Sequence, residues 1–510
     1  MPHRIFRHRS SFVVWLAGAL ALAAAAITLV VFDHAPAVQA TAGGATTVTV
    51  GRNAVGQPVP DGFLGVATDY WDIFNYVGTN PAAPDTVFEQ VLRNLTPVGW
   101  LDIRFGGDST DWTWWPVKGM KKPIWVRWTI TRGWEAVTAK LAQALHAHLI
   151  LGINMEADST VIDKAEIHAL ATSVGRVAPV TFELGNEPEL YATFPFYHTK
   201  SGKAVFGRPK SSWSYAAAGV QWRALASTLD AGKLAGPGYA SLKAAPYVSQ
   251  FLSGNHSLKM LTIHTYALKP QHCQQGGHLQ EGWLFQPSAL QDLADGLRRV
   301  VSVATAHGTQ VRVDEMNAVT CGGLKNFSAS FGPALWALNV LPLYEQAGVA
   351  GINFQTRPGT AQDLIEPTQT ASGWQVQVQP EYYGLLAFAQ LAPPGSRLLS
   401  VAPLTTAGLF AWAVRNPDHQ LHVVVTNTTS NAHSVAVKLA GASGPANVQS
   451  LSAGSGGLAA KGGVKLGGGT IDPNTGALTG VQGATTVKPV DGAYKVTVAP
   501  DSAAILTADG

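Results

Sequence analysis

The chain is poor in charge: 13% of its 510 residues are Asp, Glu, Lys or Arg. That scarcity argues against long disordered tails, which need high charge density to stay solvated. The formal net charge of +3 is too small to imply nucleic acid, and no basic stripe interleaved with aromatics appears. No Gly-x-Gly-x-x-Gly fingerprint follows an early strand, which counts against an open, doubly wound sheet. No Gly-x-Ser-x-Gly elbow occurs, so Ser-His-Asp catalysis has no support. His146 with His148, and His272 with His278, lack partner carboxylates in a coherent ligand set, so neither a metal nor any other cofactor is indicated. No internal repeat stands out.

Cysteine is limited to Cys273 and Cys321. Their pairing depends on the compartment, and the amino terminus speaks to that. Arg4, Arg7 and Arg9 form a basic start, and an uncharged, alanine-rich run from Phe12 to Phe32 follows. The small residues of Ala37-Val-Gln-Ala40 complete the pattern of an export signal cleaved after Ala40. The run is also just long enough to span a bilayer, so an uncleaved anchor is the close alternative and the only expected membrane contact. Either way the rest of the chain is exported, to a secreted, periplasmic or cell-surface location. A Cys273–Cys321 disulfide is then expected, since both cysteines follow predicted strands on one face of the fold.

What the chain has in quantity is apolar residue, at 46%. From about residue 62 to 358, short apolar runs alternate with amphipathic helical stretches. The strand candidates are Phe63–Val66, Trp100–Phe105, His148–Asn154, Val180–Leu184, Lys233–Gly236, Met260–His264, Gln310–Asp314 and Gly351–Gln355. Near-continuous apolar strands alternating with helices indicate a parallel sheet covered on both faces. Eight such units fit a closed (β/α)8 barrel. After the helical stretch Glu381–Ala389, Pro393-Pro-Gly395 breaks the chain. The alternating segments Leu409–Arg415, Leu421–Thr426, Ser434–Leu439 and Tyr494–Ala499 then predict an antiparallel β-sandwich. Thr46–Val50 is expected to complete it, and the glycine-heavy residues 453–470 read as a poorly ordered loop. The expected organisation is therefore residues 1–40 signal or anchor, 41–60 an amino-terminal strand of the sandwich, 61–391 the barrel, and 392–510 the sandwich.

In such a barrel, acting side chains sit at the carboxyl ends of strands. Glu187, in Phe182-Glu-Leu-Gly-Asn-Glu-Pro188, follows the fourth strand, and Glu315, in Asp314-Glu-Met-Asn317, follows the seventh. Pro188 biases Glu187 towards an extended backbone. Two carboxylates facing each other across a cleft are the minimal machinery for breaking a glycosidic bond. Asp69, Asp108 and Glu156 also fall at strand ends, so position alone does not choose the pair.

The combination of motifs does. Leu101-Asp-Ile-Arg-Phe-Gly-Gly107 with Thr110-Asp-Trp112, the Asn-Glu-Pro segment, Leu261-Thr-Ile-His-Thr-Tyr266, and Asp314-Glu-Met-Asn317 with Cys321-Gly-Gly323 together resemble glycoside hydrolase family 79. That family holds heparanases and bacterial β-glucuronidases. The resemblance implies a retaining β-glucuronidase-like hydrolase, with Glu187 as general acid/base and Glu315 as nucleophile; exo action is expected because Lys/Arg clusters near the motifs are few, Lys118, Lys121 and Lys122 excepted. It implies that Asn186 bonds the sugar 2-hydroxyl, that Tyr266 donates to Glu315, and that Arg104 supports the carboxylates from behind. His264 is a secondary contact, and Asp69 and Tyr70 line the sugar subsite. Gly322 and Gly323 match a loop whose backbone N–H groups would meet a uronate carboxylate. A tyrosine expected after the eighth strand is missing from Phe354–Gln362, and Arg357 is the candidate in its place. The expected partner is a glycan or glycoconjugate. A neutral-sugar glycosidase of the same clan, an endo-acting heparanase-like enzyme and a non-catalytic carbohydrate-binding protein are the alternatives.

Overall fold

The computed structural model describes residues 46–229, 234–255, 258–268 and 279–510. The amino-terminal run and Cys273 lie outside the described residues. Within them, no helix is long and apolar enough to cross a membrane.

Eight parallel strands close into a barrel. In chain order they are Leu64–Asp69, Asp102–Gly106, His148–Ile153, Val180–Leu184, Leu234–Tyr239, Met260–Leu268, Gln310–Val319 and Gly351–Gln355. Helices between them cover the outside, and their starts follow local chemistry. Asp85 caps Thr86–Asn94 by accepting from the Val87 and Phe88 N–H groups, and Thr131 caps Arg132–Leu145 in the same way. The helices Gly332–Ala347 and Pro380–Leu391 are apolar on all sides and almost wholly buried, because each packs between barrel and sandwich.

The barrel interior is not filled with aliphatic layers alone. Arg312, fully inside, donates to Asn353 at 2.6 Å and to the Gly62 carbonyl at 3.1 Å. Above it, towards the carboxyl ends, Arg104, Glu183, His264 and Asp314 are all buried completely. The sixth and seventh strands run further than the sequence pattern predicts, to Leu268 and Val319. Their pairing slips between Thr262 and His264, and that of the seventh and eighth slips between Val313 and Met316. A regular strand sends successive side chains to opposite faces. The irregularity here turns both Asp314 and Glu315 inward, as a bulge does.

The second layer is a ten-stranded sheet folded over on itself. Thr46–Ala54 joins it, parallel to His433–Leu439 and antiparallel to Arg397–Val401. Period-two alternation serves two cores at once. Val423 and Val425 point into the sandwich while Val424 faces the barrel, and Leu506 and Ile505 divide likewise. Five strands of this sheet escape the sequence pattern: Arg397–Val401, Ala446–Ser452 and Ser502–Asp509, with the short Lys465–Leu466 and Thr485–Val487. Residues 453–470 correct the expectation of a poorly ordered loop: Ala460, Val464 and Leu466 are buried in the main core.

Candidate active site

The site is assembled around Arg104, on the second barrel strand. Its guanidinium donates from Nε to Glu183 Oε2 at 2.7 Å, from one terminal nitrogen to Glu315 Oε2 at 2.9 Å, and from the other to Asn186 Oδ1 at 3.0 Å. Asp314 Oδ2 stands 2.9 Å from the same Nε. One planar cation thus fixes residues from the fourth and seventh strands. The two glycines after it have distinct tasks. A Cβ on Gly106 would lie 2.8 Å from the Arg104 guanidinium carbon, and one on Gly107, where φ is +63°, would press on Asp69 Oδ1 at 3.1 Å.

That crowding gives a test. Gly106→Ala is expected to cost about 1–3 kcal/mol, the usual penalty of overpacking, and to push Arg104 off its partners. Urea unfolding measures it, with Gly133→Ala as control, where the nearest atom to the new Cβ is 3.6 Å away. Equal stabilities for both variants would show that Arg104 has room to move.

Glu315 has both oxygens engaged. Tyr266 Oη donates to Oε1 at 2.7 Å, and Arg104 holds Oε2. Burial alone would raise its pKa, but the charges of His264 and Arg104 and the Tyr266 bond outweigh that and hold it below the ordinary carboxylate value. Glu187 lies across from it, partly exposed, with one oxygen of each carboxylate within 4.8 Å of the other. His264 sits between and beneath them, its Nδ1 2.9 Å from Glu187 Oε1 and 3.7 Å from Glu315 Oε1. Burial would lower the His264 pKa; the charges of Glu315 and Asp314 and its hydrogen bonds raise it well above the usual value instead.

The expected extended backbone at Glu187 is not found: φ is 47° and ψ 47°, in the left-handed region. Pro188 excludes the right-handed helical region for the residue before it. The Glu187 N–H is drawn to the Gly238 carbonyl at 2.8 Å, and its own carbonyl accepts from Leu190 N at 2.8 Å. Left-handed backbone costs a non-glycine residue roughly 1–2 kcal/mol, which these bonds and the barrel must offset.

Above the pair opens a cleft of about 470 Å³ lined by Asp69, Asp108, Trp112, Arg127, Asn186, Phe194, Tyr266, Gly322 and Arg357, among others. Asn186 commits its oxygen to Arg104, leaving the amide N–H groups as its donors towards the cleft. Arg357, partly exposed, lies 3.4 Å from Asp69 Oδ2. Burial, opposed by Arg357, pushes Asp69 up to about 7. Asp108 projects into the open cleft, and the surrounding protein together with Glu187 and Glu315 pushes it up to about 6.

Other expected residues fall elsewhere. Tyr70 is no cleft residue: it is fully buried, donates to the Gly152 carbonyl at 2.8 Å and packs on Trp134. His264 is buried below the carboxylates rather than beside the open cleft. Gly322 lines the cleft, whereas Gly323 packs against Ser328 and Gln362. Cys321, exposed at the rim, forms no disulfide among the described residues; its expected partner Cys273 lies outside them. Sequence reasoning missed Asp314, Glu183 and Arg127. Strict alternation assigns Asp314 to the face opposite Glu315, and only the bulge reverses it. Arg127 comes from a long loop, where no periodicity marks it, and lies 3.3 Å over the Trp112 ring.

The comparisons with known proteins agree on architecture. Residues 395–455 match the family model for the glycosyl hydrolase family 30 beta sandwich domain. A 4-O-alpha-L-rhamnosyl-beta-D-glucuronidase from Fusarium oxysporum 12S is similar at TM-score 0.65 and 17% identity, over 90% of this chain and 100% of that one. A GH51 arabinofuranosidase from Xanthomonas axonopodis pv. citri is similar at TM-score 0.64 and 14% identity, over 91% and 100%. A family 30 subfamily 8 xylanase from Clostridium acetobutylicum is similar at TM-score 0.51 and 13% identity, over 91% and 100%. No curated protein matches the sequence. The fold is the one these glycoside hydrolases share, and none of these matches shows family 79.

Proposed function

We propose that the cleft hydrolyses a β-glucuronide with retention of configuration, as the family 79 motifs imply. The observation that supports this best is the close approach of Glu187 and Glu315, one oxygen of each within 4.8 Å of the other. Inverting pairs leave room for a water and stand about 6.5–9.5 Å apart, whereas retaining pairs stand about 5–5.5 Å apart. In this reading Glu187 passes a proton to the leaving oxygen while the Glu315 carboxylate bonds the anomeric carbon and the glycosidic bond breaks. Water, giving its proton to Glu187, then displaces Glu315 and frees the sugar. Tyr266 and Arg104 keep Glu315 ionised and aimed. Asn186 faces the sugar 2-hydroxyl. Arg357 and the Gly322 backbone are the groups offered to a uronate carboxylate. Export, with Phe12–Phe32 as signal or anchor, belongs to the same proposal.

Substrate preference tests it. The enzyme is expected to release p-nitrophenol from the β-glucuronide at least about tenfold faster than from the β-glucoside, β-xyloside or α-arabinofuranoside, and Arg357→Ala should narrow that gap. Release from a neutral glycoside alone would sink the uronate assignment and keep the mechanism.

An acidic polymer as substrate is a second reading with an observation behind it. The loop after the second strand carries Lys118, Lys121, Lys122 and Arg127, and the loop after the fourth carries Lys200, Lys203 and Lys210, all exposed. Residues 113–134 and 190–213 contain no acid. Trp112 Nε1 joins the loops by donating to the Phe196 carbonyl at 2.7 Å, and Trp125 stacks on Phe196. Such a wall on the Glu187 side suits an anionic leaving chain.

A further inference from the structure

Beneath the carboxylate pair lies a second one. Arg104 Nε carries a single hydrogen, which Glu183 Oε2 accepts at 2.7 Å. Asp314 Oδ2 is 2.9 Å from that nitrogen but accepts no hydrogen bond from it. Glu183 Oε1 and both Asp314 oxygens are buried without a donor at full hydrogen-bond geometry among the described residues; the Thr262 hydroxyl beside Glu183 and His264 Nε2, 3.6 Å from Asp314 Oδ2, approach them most closely. Two ionised carboxylates converging on one N–H, with three buried oxygens short of full hydrogen bonds, is a costly arrangement in a protein interior. A single proton on one carboxyl resolves it, by supplying the missing donor and removing the like charge.

The surroundings decide which carboxyl takes that proton. Asp314 faces two cations, Arg104 and His264, whose Nε2 is 3.6 Å from Oδ2. Glu183 faces Arg104 alone, with the Thr262 hydroxyl beside it and Tyr70 nearby. Arg312 adds further positive charge in reach of Asp314 from below. We propose that Glu183 is a neutral carboxylic acid at neutral pH, donating its O–H to Asp314, and is the positioning residue that fixes Arg104 and through it Glu315 and Asn186. Burial pushes Glu183 up to about 8, in accord with this geometry. For Asp314 burial acts upward too, but Arg104 and His264 overcome it and hold the carboxyl well below the usual range.

The test reads protonation directly. In infrared difference spectra at pH 7, wild type minus Glu183→Gln is expected to show the carbonyl band of a protonated carboxylic acid. A carboxylate band in its place would overturn the proposal. Should Glu183→Gln not fold, Asp314→Asn serves, because removing the anion that Glu183 donates to should shift or abolish that acid band and so leave it in wild type minus variant; a difference spectrum without it would again overturn the proposal. Neither spectrum depends on the glucuronidase reading, so the two can fail separately. Activity adds a second criterion that rests on that reading. Glutamine can accept from Arg104 and donate to Asp314, so Glu183→Gln is expected to rescue kcat/KM to within about tenfold of wild type, against a loss of about 100-fold or more in Glu183→Ala, as misplacement of a catalytic group produces. Equal losses in both variants would point to an ionised Glu183.

Discussion

Glu315→Gly is expected to lower kcat/KM on the preferred nitrophenyl glycoside by about 10⁴–10⁶-fold, the scale on which enzymes lose function when a nucleophile is deleted. The reason is geometric. Arg104 and Tyr266 hold the carboxylate at 2.9 and 2.7 Å, and no neighbouring carboxylate takes over that position, since Asp314 is buried beneath it. Azide should restore part of the activity by entering on the face Glu315 vacates, giving a glycosyl azide of inverted configuration. Glu187→Ala should behave differently. A nitrophenolate departs with little help from an acid, so the loss, about 10²–10⁴-fold and seen in kcat rather than kcat/KM, falls on the second step, where water needs a base. Azide needs none; attacking the anomeric carbon as the Glu315 carboxylate leaves, it should give the azide with retained configuration. Chromatography and NMR of the products check both. Exchange of the two outcomes would exchange the roles, and an active Glu315→Gly variant would end the mechanism.

Stability should fall as pH rises from about 5 to about 9. Burial pushes Glu156 and Asp163 up to about 9, and Glu166, Glu345 and Glu381 up to about 8. Asp163 and Glu345 have both oxygens buried without a hydrogen-bond partner among the described residues. In the unfolded chain such groups titrate near 4. Between that value and the folded one the native state binds protons that the unfolded state does not, so stability falls with rising pH. It is fully present below about pH 4 on this account and lost through the folded values. His264 acts in the same sense: its contribution is present below about pH 6.5 and lost as pH passes its raised folded value. Glu315 and Asp314, depressed in the fold, act in another window, contributing above the ordinary carboxylate range and losing that contribution as pH drops below it. The optimum therefore falls in mildly acidic solution. Two units on one carboxyl are worth about 2.7 kcal/mol, so urea midpoints at pH 5 and pH 8.5 should separate by the equivalent of a few kcal/mol. A flat profile would mean that these carboxyls are ionised inside the protein.

Those buried acids also show why the sequence could be read only in part. The barrel strands were legible because residues such as His148–Ile153 are almost wholly apolar on both faces, the mark of a parallel sheet under helices. Leu409–Arg415 and Tyr494–Val498 were legible from their alternation. Ala446–Ser452 and Ser502–Asp509 were not, since Asn, Gln, Ser and Ala carry little strand preference and become strands through their neighbours in the sheet. At the site, Arg104, Asn186, Tyr266 and the two glutamates do come together as the motifs imply. Tyr70 does not, because facing a core or a cleft is settled by packing that the motif leaves out. Glu187 took the other conformation open to a residue before proline, under the pull of the Gly238 carbonyl.

Thr46–Ala54 has a bearing on how the protein is made. Its parallel neighbour is His433–Leu439 and its antiparallel neighbour Arg397–Val401, so it leaves the ribosome long before either exists. The barrel can close once Gly351–Gln355 emerges, but until then and beyond, the early strand is a bare edge available to any other chain. Nascent chains stalled before Arg397 should therefore depend on chaperones, because Thr46–Ala54 can pair only after Arg397–Val401 and His433–Leu439 have been made.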